Sequence, residues 1–114
     1  MEKKGIYKLR IDAGRNGDLH GVFLTTRERI EKLIESEAVV YFGEVLGKHS
    51  EVFCRIVDNM VEFVSDNEEV VRLFEDHNLS NGFNPFDYMV HEYELNDEYL
   101  EDISVSDLVD KLLK

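Results

Sequence analysis

Three sets of residues in this sequence have types and spacings that could do chemistry. In the first, Asp18-Leu19-His20 and His49-Ser50-Glu51 each put an imidazole and a carboxylate two residues apart. On a strand that spacing points both groups to one face, where they could hold a divalent metal or share a proton as general base. His20, His49 and Glu51, with Asp12 or Glu44 nearby, would be the working groups of a metal-dependent hydrolase. No HExxH, paired CxxC or EF-hand spacing accompanies them, and no Gly-x-Ser-x-Gly elbow marks a nucleophile. The enzyme class therefore ranks last of three, and no catalytic residue, metal ligand or cofactor is assigned.

The second set is a pair of basic glycine turns, Gly14-Arg15-Asn16-Gly17 and Gly47-Lys48-His49-Ser50. Successive backbone amides in such turns form small anion-binding concavities, which Arg or Lys reinforces. Arg10 and Arg55 fall on the adjoining strands. Converging turns would give a site made of Arg10, Arg15, Asn16, Lys48, His49 and Arg55 for a nucleotide or other small anion. Neither turn has Walker A or dinucleotide spacing, and hairpin turns of this composition are common without any ligand.

The third set is acidic. The net charge is −12, and it is unevenly spread: residues 1–35 carry eight Lys/Arg against six Asp/Glu, and residues 36–114 carry five against nineteen. Residues 92–110 hold eight carboxylates and no Lys or Arg. A field of this sign repels nucleic acid and attracts a basic protein surface. Glu94, Asp97, Glu98, Glu101 and Asp102 are the residues expected to meet such a partner. The plain alternative is that the acids only solvate the chain.

These groups need a scaffold, and the pattern supplies one. The chain of 114 residues is the size of one domain, and seven Phe with five Tyr give bulk for a single core. Tyr7, Leu9 and Ile11 alternate with Lys8, Arg10 and Asp12, which predicts a strand. Asn16-Gly17 predicts a hairpin into a second strand over 19–24. Thr25 with Glu28 predicts a capped helix carrying Ile30, Leu33 and Ile34 on one face. Three strands follow over 39–46, 51–57 and 60–64. Ser65 with Glu68 predicts a second helix to about His77, burying Val70, Val71 and Phe74. Pro85 starts a short turn, and Phe83, Phe86, Tyr88 and Met89 read as a lid over the core. Ser104 starts a last helix with Val105, Leu108, Val109 and Leu112 on its apolar side. His77 and His91 read as incidental, and Cys54, between Phe53 and Arg55 but on the side of Val52 and Ile56, as an inert buried thiol.

The whole is expected to be one α+β domain over residues 1–114: a mostly antiparallel sheet of about five strands, two or three packed helices, and an acidic, helical C-terminal segment over 91–114. No apolar run approaches membrane-spanning length and no signal segment opens the chain, so the cytoplasm is the default compartment.

The segments Tyr41-Phe42-Gly43-Glu44-Val45-Leu46-Gly47-Lys48-His49-Ser50-Glu51 and Asn84-Pro85-Phe86-Asp87-Tyr88 resemble small accessory proteins encoded by bacteriophages. That resemblance covers a small part of the chain and carries over no catalytic residue. It implies a product acting on a host protein or host signal, in host cytoplasm. The expected function is thus a non-catalytic acidic interaction protein that binds and modulates or inhibits a host protein, such as a defence or nucleic-acid-binding protein, without touching nucleic acid or membrane itself.

Overall fold

Strands β1 (Lys4–Asp12) and β2 (Asp18–Thr26) form an antiparallel hairpin in register from Lys4↔Thr26 to Asp12↔Asp18. The computed structural model describes residues 3–12, 14, 17–44 and 51–114. At the hairpin's tip the Gly17 N–H donates to the Gly14 carbonyl, and both glycines have positive φ, 108° and 67°. The hairpin is the expected one, although Asn16 itself lies outside the described residues.

Helix α1 (Arg27–Ser36) follows at once. Its cap is Thr26, whose hydroxyl accepts from the Arg29 N–H at 3.2 Å. The cap expected at Thr25 is displaced by one residue because Thr25 shares the inward face of β2 with Leu19 and Phe23 and is buried. A strand's period of two decides which threonine is free to cap.

Strands β3 (Val39–Gly43) and β4 (Val52–Arg55) pair antiparallel. After a 3₁₀ turn at Asp58–Met60, β5 (Val61–Ser65) crosses over to pair with β1. Helix α2 (Glu68–Asp76) is capped by Asn67, which accepts from the N–H groups of Glu69 and Val70. Ser65, the expected cap, is still part of β5, paired with Ile6. The short β6 (Asn81–Gly82) pairs with β2, a 3₁₀ turn spans Pro85–Asp87, and β7 (Met89–Leu95), β8 (Glu98–Ser104) and α3 (Val105–Leu112) complete the described chain. Ser104 caps α3, accepting from the Asp107 N–H at 3.0 Å.

The α+β class is as expected, but the strands form two antiparallel sheets of four: sheet A in the order β5-β1-β2-β6 and sheet B in the order β4-β3-β7-β8. The acidic C-terminal segment is helical only from Val105 onward. Residues 89–104 are a hairpin, turned by Asn96 and Asp97 at φ 49° and 67° with Leu95 opposite Glu98. A two-residue loop with both φ values positive matches the twist of paired strands, and Asn and Asp tolerate that region.

One core lies between the sheets, built from Leu9, Leu19 and Phe23 of sheet A, Val40, Phe42 and Val90 of sheet B, and Ile30, Leu33, Val105, Leu108 and Val109 of α1 and α3. A smaller cluster, Ile6 with Val71 and Phe74, fixes α2 to the other face of sheet A. Arg29 ties α1 to α3 and to the Pro85–Asp87 turn. It pairs with Asp110, donates to the Ser106 hydroxyl at 2.9 Å, and lies 5.3 Å from the centre of the Phe86 ring. No buried side-chain nitrogen or oxygen among the described residues lacks a hydrogen-bond partner.

Candidate interaction face

Arg10 and Arg55, expected to frame one anion site, stand on different sheets. Arg10 lies opposite His20 on sheet A and pairs with Asp18 at 3.2 Å; the His20 Nε2 is 3.8 Å from the same carboxylate. Arg55 is on β4 of sheet B, 3.8 Å from Glu37. Arg15, Asn16, Lys48 and His49 lie outside the described residues. Of the hydrolase set, His20 belongs to sheet A, whereas Glu51 adjoins sheet B and accepts a hydrogen bond from the Tyr41 hydroxyl at 2.9 Å. Among the described residues no three His, Cys, Asp or Glu side chains gather as a metal site. Arg10 does line a cavity of about 470 Å³ on the outer face of sheet A, with Lys8, His20, Glu62 and Asn81.

The residues expected to meet a partner share one setting. Alternation along β3 sends Val40 and Phe42 inward and leaves Tyr41 on the outer face of sheet B; the same alternation on β4 buries Val52 and exposes Phe53. Tyr41 is the middle of a row of rings across three strands, with Phe53 at 4.8 Å and His91 at 4.3 Å between ring centres. Carboxylates tether the middle of the row and its His91 end. Glu51 holds the Tyr41 hydroxyl, and this hydrogen bond, ahead of slight burial, raises the phenol above its ordinary pKa. Asp102 holds His91 Nδ1 at 2.8 Å.

The strand backbone explains how Asp102 gets there. Val90 packs inward, yet so do Tyr93 and Leu95, which have the opposite parity. On the partner strand Leu100 and Ile103 likewise both meet the core. The reversal falls where Asp102 adopts φ 48°. As a result His91, Glu92, Glu101 and Asp102 all point away from the core.

Glu94, Glu98, Glu101 and Asp102 are therefore carried on the β7–β8 hairpin and Asp97 in its turn, all exposed. Glu92 stands directly opposite Glu101, and Glu94 opposite Tyr99. Glu92 beside the Tyr99 hydroxyl holds the phenol's pKa above its ordinary value, as does the negative charge of Glu101 and Asp102. Among the described residues, Glu92, Glu94, Asp97, Glu98 and Glu101 make no ion pair with Lys or Arg. Phe53 and Tyr99 are 51% and 56% exposed, and Val39 and Met89 are also open.

Sequence reasoning missed His91, which is a tethered member of the ring row rather than incidental. It also missed the joining of Tyr41 to Phe53. The outward parity of Phe53 was readable from Val52, Cys54 and Ile56, but its neighbours were not. Of the expected lid, Phe86 is buried and Phe83 and Tyr88 pack on Phe42, while Met89 stays exposed. Cys54 is half-buried, and burial pushes its thiol pKa up, as an inert thiol requires.

No family model, curated protein or solved structure matches the chain. No helix among the described residues is long and apolar enough to cross a membrane.

Proposed function

We propose that this chain is a non-catalytic interaction protein whose outer sheet B face docks on a basic surface of a target protein and modulates or inhibits it. The observation that carries the reading is the union, on one uncovered sheet face, of the ring row Tyr41–Phe53–His91 with the unneutralised carboxylates of β7 and β8. Protein interfaces join exposed aromatic anchors to a polar rim in this way, and a rim of one sign steers association with a partner of the other. The resemblance to bacteriophage accessory proteins adds a host protein as the kind of target, a defence or nucleic-acid-binding protein among them.

The test is capture of partners on the tagged protein from host lysate at low and high salt, beside a variant with Glu94, Glu98, Glu101 and Asp102 changed to Lys. A protein retained by the wild type, released by salt and lost with the variant supports the reading. Retention that survives the charge reversal removes it.

A second reading, a small-anion binder, is favoured by the sheet A cavity that brings Lys8, Arg10 and His20 together. A nucleotide or similar anion bound there raises the melting temperature. A panel of nucleotides without effect on stability eliminates it.

A further inference from the structure

Carboxylates alone attract lysine and arginine alike, so the acidic rim of sheet B does not by itself choose between them. The rings do. A guanidinium is planar, weakly hydrated and able to stack on an aromatic face while its N–H edge bonds a carboxylate, whereas an ammonium is a strongly hydrated point charge. We infer that the row Tyr41–Phe53–His91 is an arginine-reading anchor, so that the partner presents an arginine-bearing basic segment to this face. The inference rests on the docking function proposed above and names the partner chemistry.

Several features of the face fit that occupant. The rings are held before any partner arrives, Tyr41 through Glu51 and His91 through Asp102, so little side-chain freedom is lost on stacking. Phe53 is half exposed beside Tyr41, which leaves ring surface for a guanidinium. Arg55 is the one Lys or Arg in the four strands of this sheet, and it faces Glu37. Among the described residues no Lys or Arg pairs with Glu51, Glu92, Glu101 or Asp102 beside the rings.

Other occupants fit less well. A nucleic acid strand could stack its bases on the rings, but its phosphates would meet Glu51, Glu92, Glu101 and Asp102. A second copy of this chain would bring the same carboxylates against them. A purely apolar segment would strip water from those carboxylates without pairing them. Arginine satisfies the rings and the carboxylates together.

The test titrates the isotope-labelled protein with arginine and lysine homopeptides of equal length, followed by amide and ring resonances. The expected result is tighter binding of the arginine peptide, on the order of fivefold, with the largest shifts at Tyr41, Phe53 and His91. Phe53→Ala is expected to bring the two peptides to equal affinity, and Phe53→Leu to do the same while keeping apolar cover over the strand. The amide spectrum reports whether each variant keeps its fold. Equal affinities in the wild type, or a preference that survives both substitutions, overturns the arginine assignment and leaves the docking face standing. If Glu94→Lys with Glu101→Lys fails to weaken either peptide, or neither peptide binds, the docking function falls and the assignment with it.

Discussion

The two sheets share one core but present opposite kinds of outer face. On sheet A, α2 covers Ile6, Val22 and Leu24, and two of the outer charges are met within the protein: Lys4 by Glu75 of α2 and Arg10 by Asp18. Among the described residues no helix covers the outer face of sheet B. It exposes a row of rings and sets Glu92 against Glu101 across the strand pair, like charge opposite like. Such a pairing lowers stability. A surface whose local choices agree is explained by folding alone; one that keeps a repulsive pair is a better place to look for function. The difference also limits what net charge can tell. Among the described residues five Lys or Arg side chains are taken up by internal ion pairs, while Glu92, Glu94, Asp97, Glu98 and Glu101 of the β7–β8 hairpin pair with none, so the hairpin carries acids that no basic side chain offsets locally.

The largest expected break in this comparison is at the edge of sheet A. Strands β2 and β6 approach so closely that a Cβ on Gly21 would lie 1.9 Å from the Phe83 carbonyl oxygen. Backbone has to move, so Gly21→Ala should cost about 3 kcal/mol and lower the melting temperature by roughly 10–20 °C. An unchanged melting temperature would show that β6 is not held against β2. Next is the link between α1 and α3. Arg29→Ala removes the Asp110 pair, the Ser106 bonds and the contact with Phe86, and should cost about 1–2 kcal/mol in urea unfolding. A loss within error would mean that α1 and α3 are held by apolar contact alone.

The sharper test lies on sheet B, where stability and binding should move in opposite directions. Glu101→Lys replaces a repulsive cross-strand pair with an attractive one and should stabilise the fold by a few tenths of a kcal/mol, while weakening attachment to a basic partner. Destabilisation, or stabilisation without loss of binding, would contradict the division between the two faces. The smallest effect concerns Cys54. Its thiol pKa is raised by burial, so folding favours the neutral form. The associated stability is fully present below the unfolded thiol's pKa and is lost as pH rises through the folded one. Alkylation near neutral pH should therefore be slower in the folded protein than in urea, and equal rates would place the thiol in open solvent.

Much of the scaffold was readable from the residues in order. Tyr7, Leu9 and Ile11 alternate with charged neighbours, Asn16-Gly17 announces a hairpin, and Ser104 with Asp107 announces α3. Each signal rests on sterics or hydrogen bonds within a few residues, so local sequence determines it. The errors came where local signals compete. Thr25 and Ser65 have capping chemistry, but Thr25 is buried on the inward face of β2 and Ser65 is still paired in β5, so the caps fall to Thr26 and Asn67. Over 92–104 the density of acids hid a period of two, in which Tyr93 and Leu95 turn inward between outward glutamates.

The acidic partner residues were named from charge alone, and the strands that carry them were not foreseen. What the sequence by itself determined was the period of β1 and of the helices, the turn of the first hairpin and the sign and asymmetry of the charge. Tertiary structure alone decided that β5 leaves β4 for β1, that Arg10 and Arg55 part company, and that Tyr41, Phe53, His91 and Asp102 meet. Those four residues come from four different strands. Their meeting depends on which edges pair and which side of each sheet packs on the common core, and that choice belongs to the burial of the whole chain rather than to any short stretch of it.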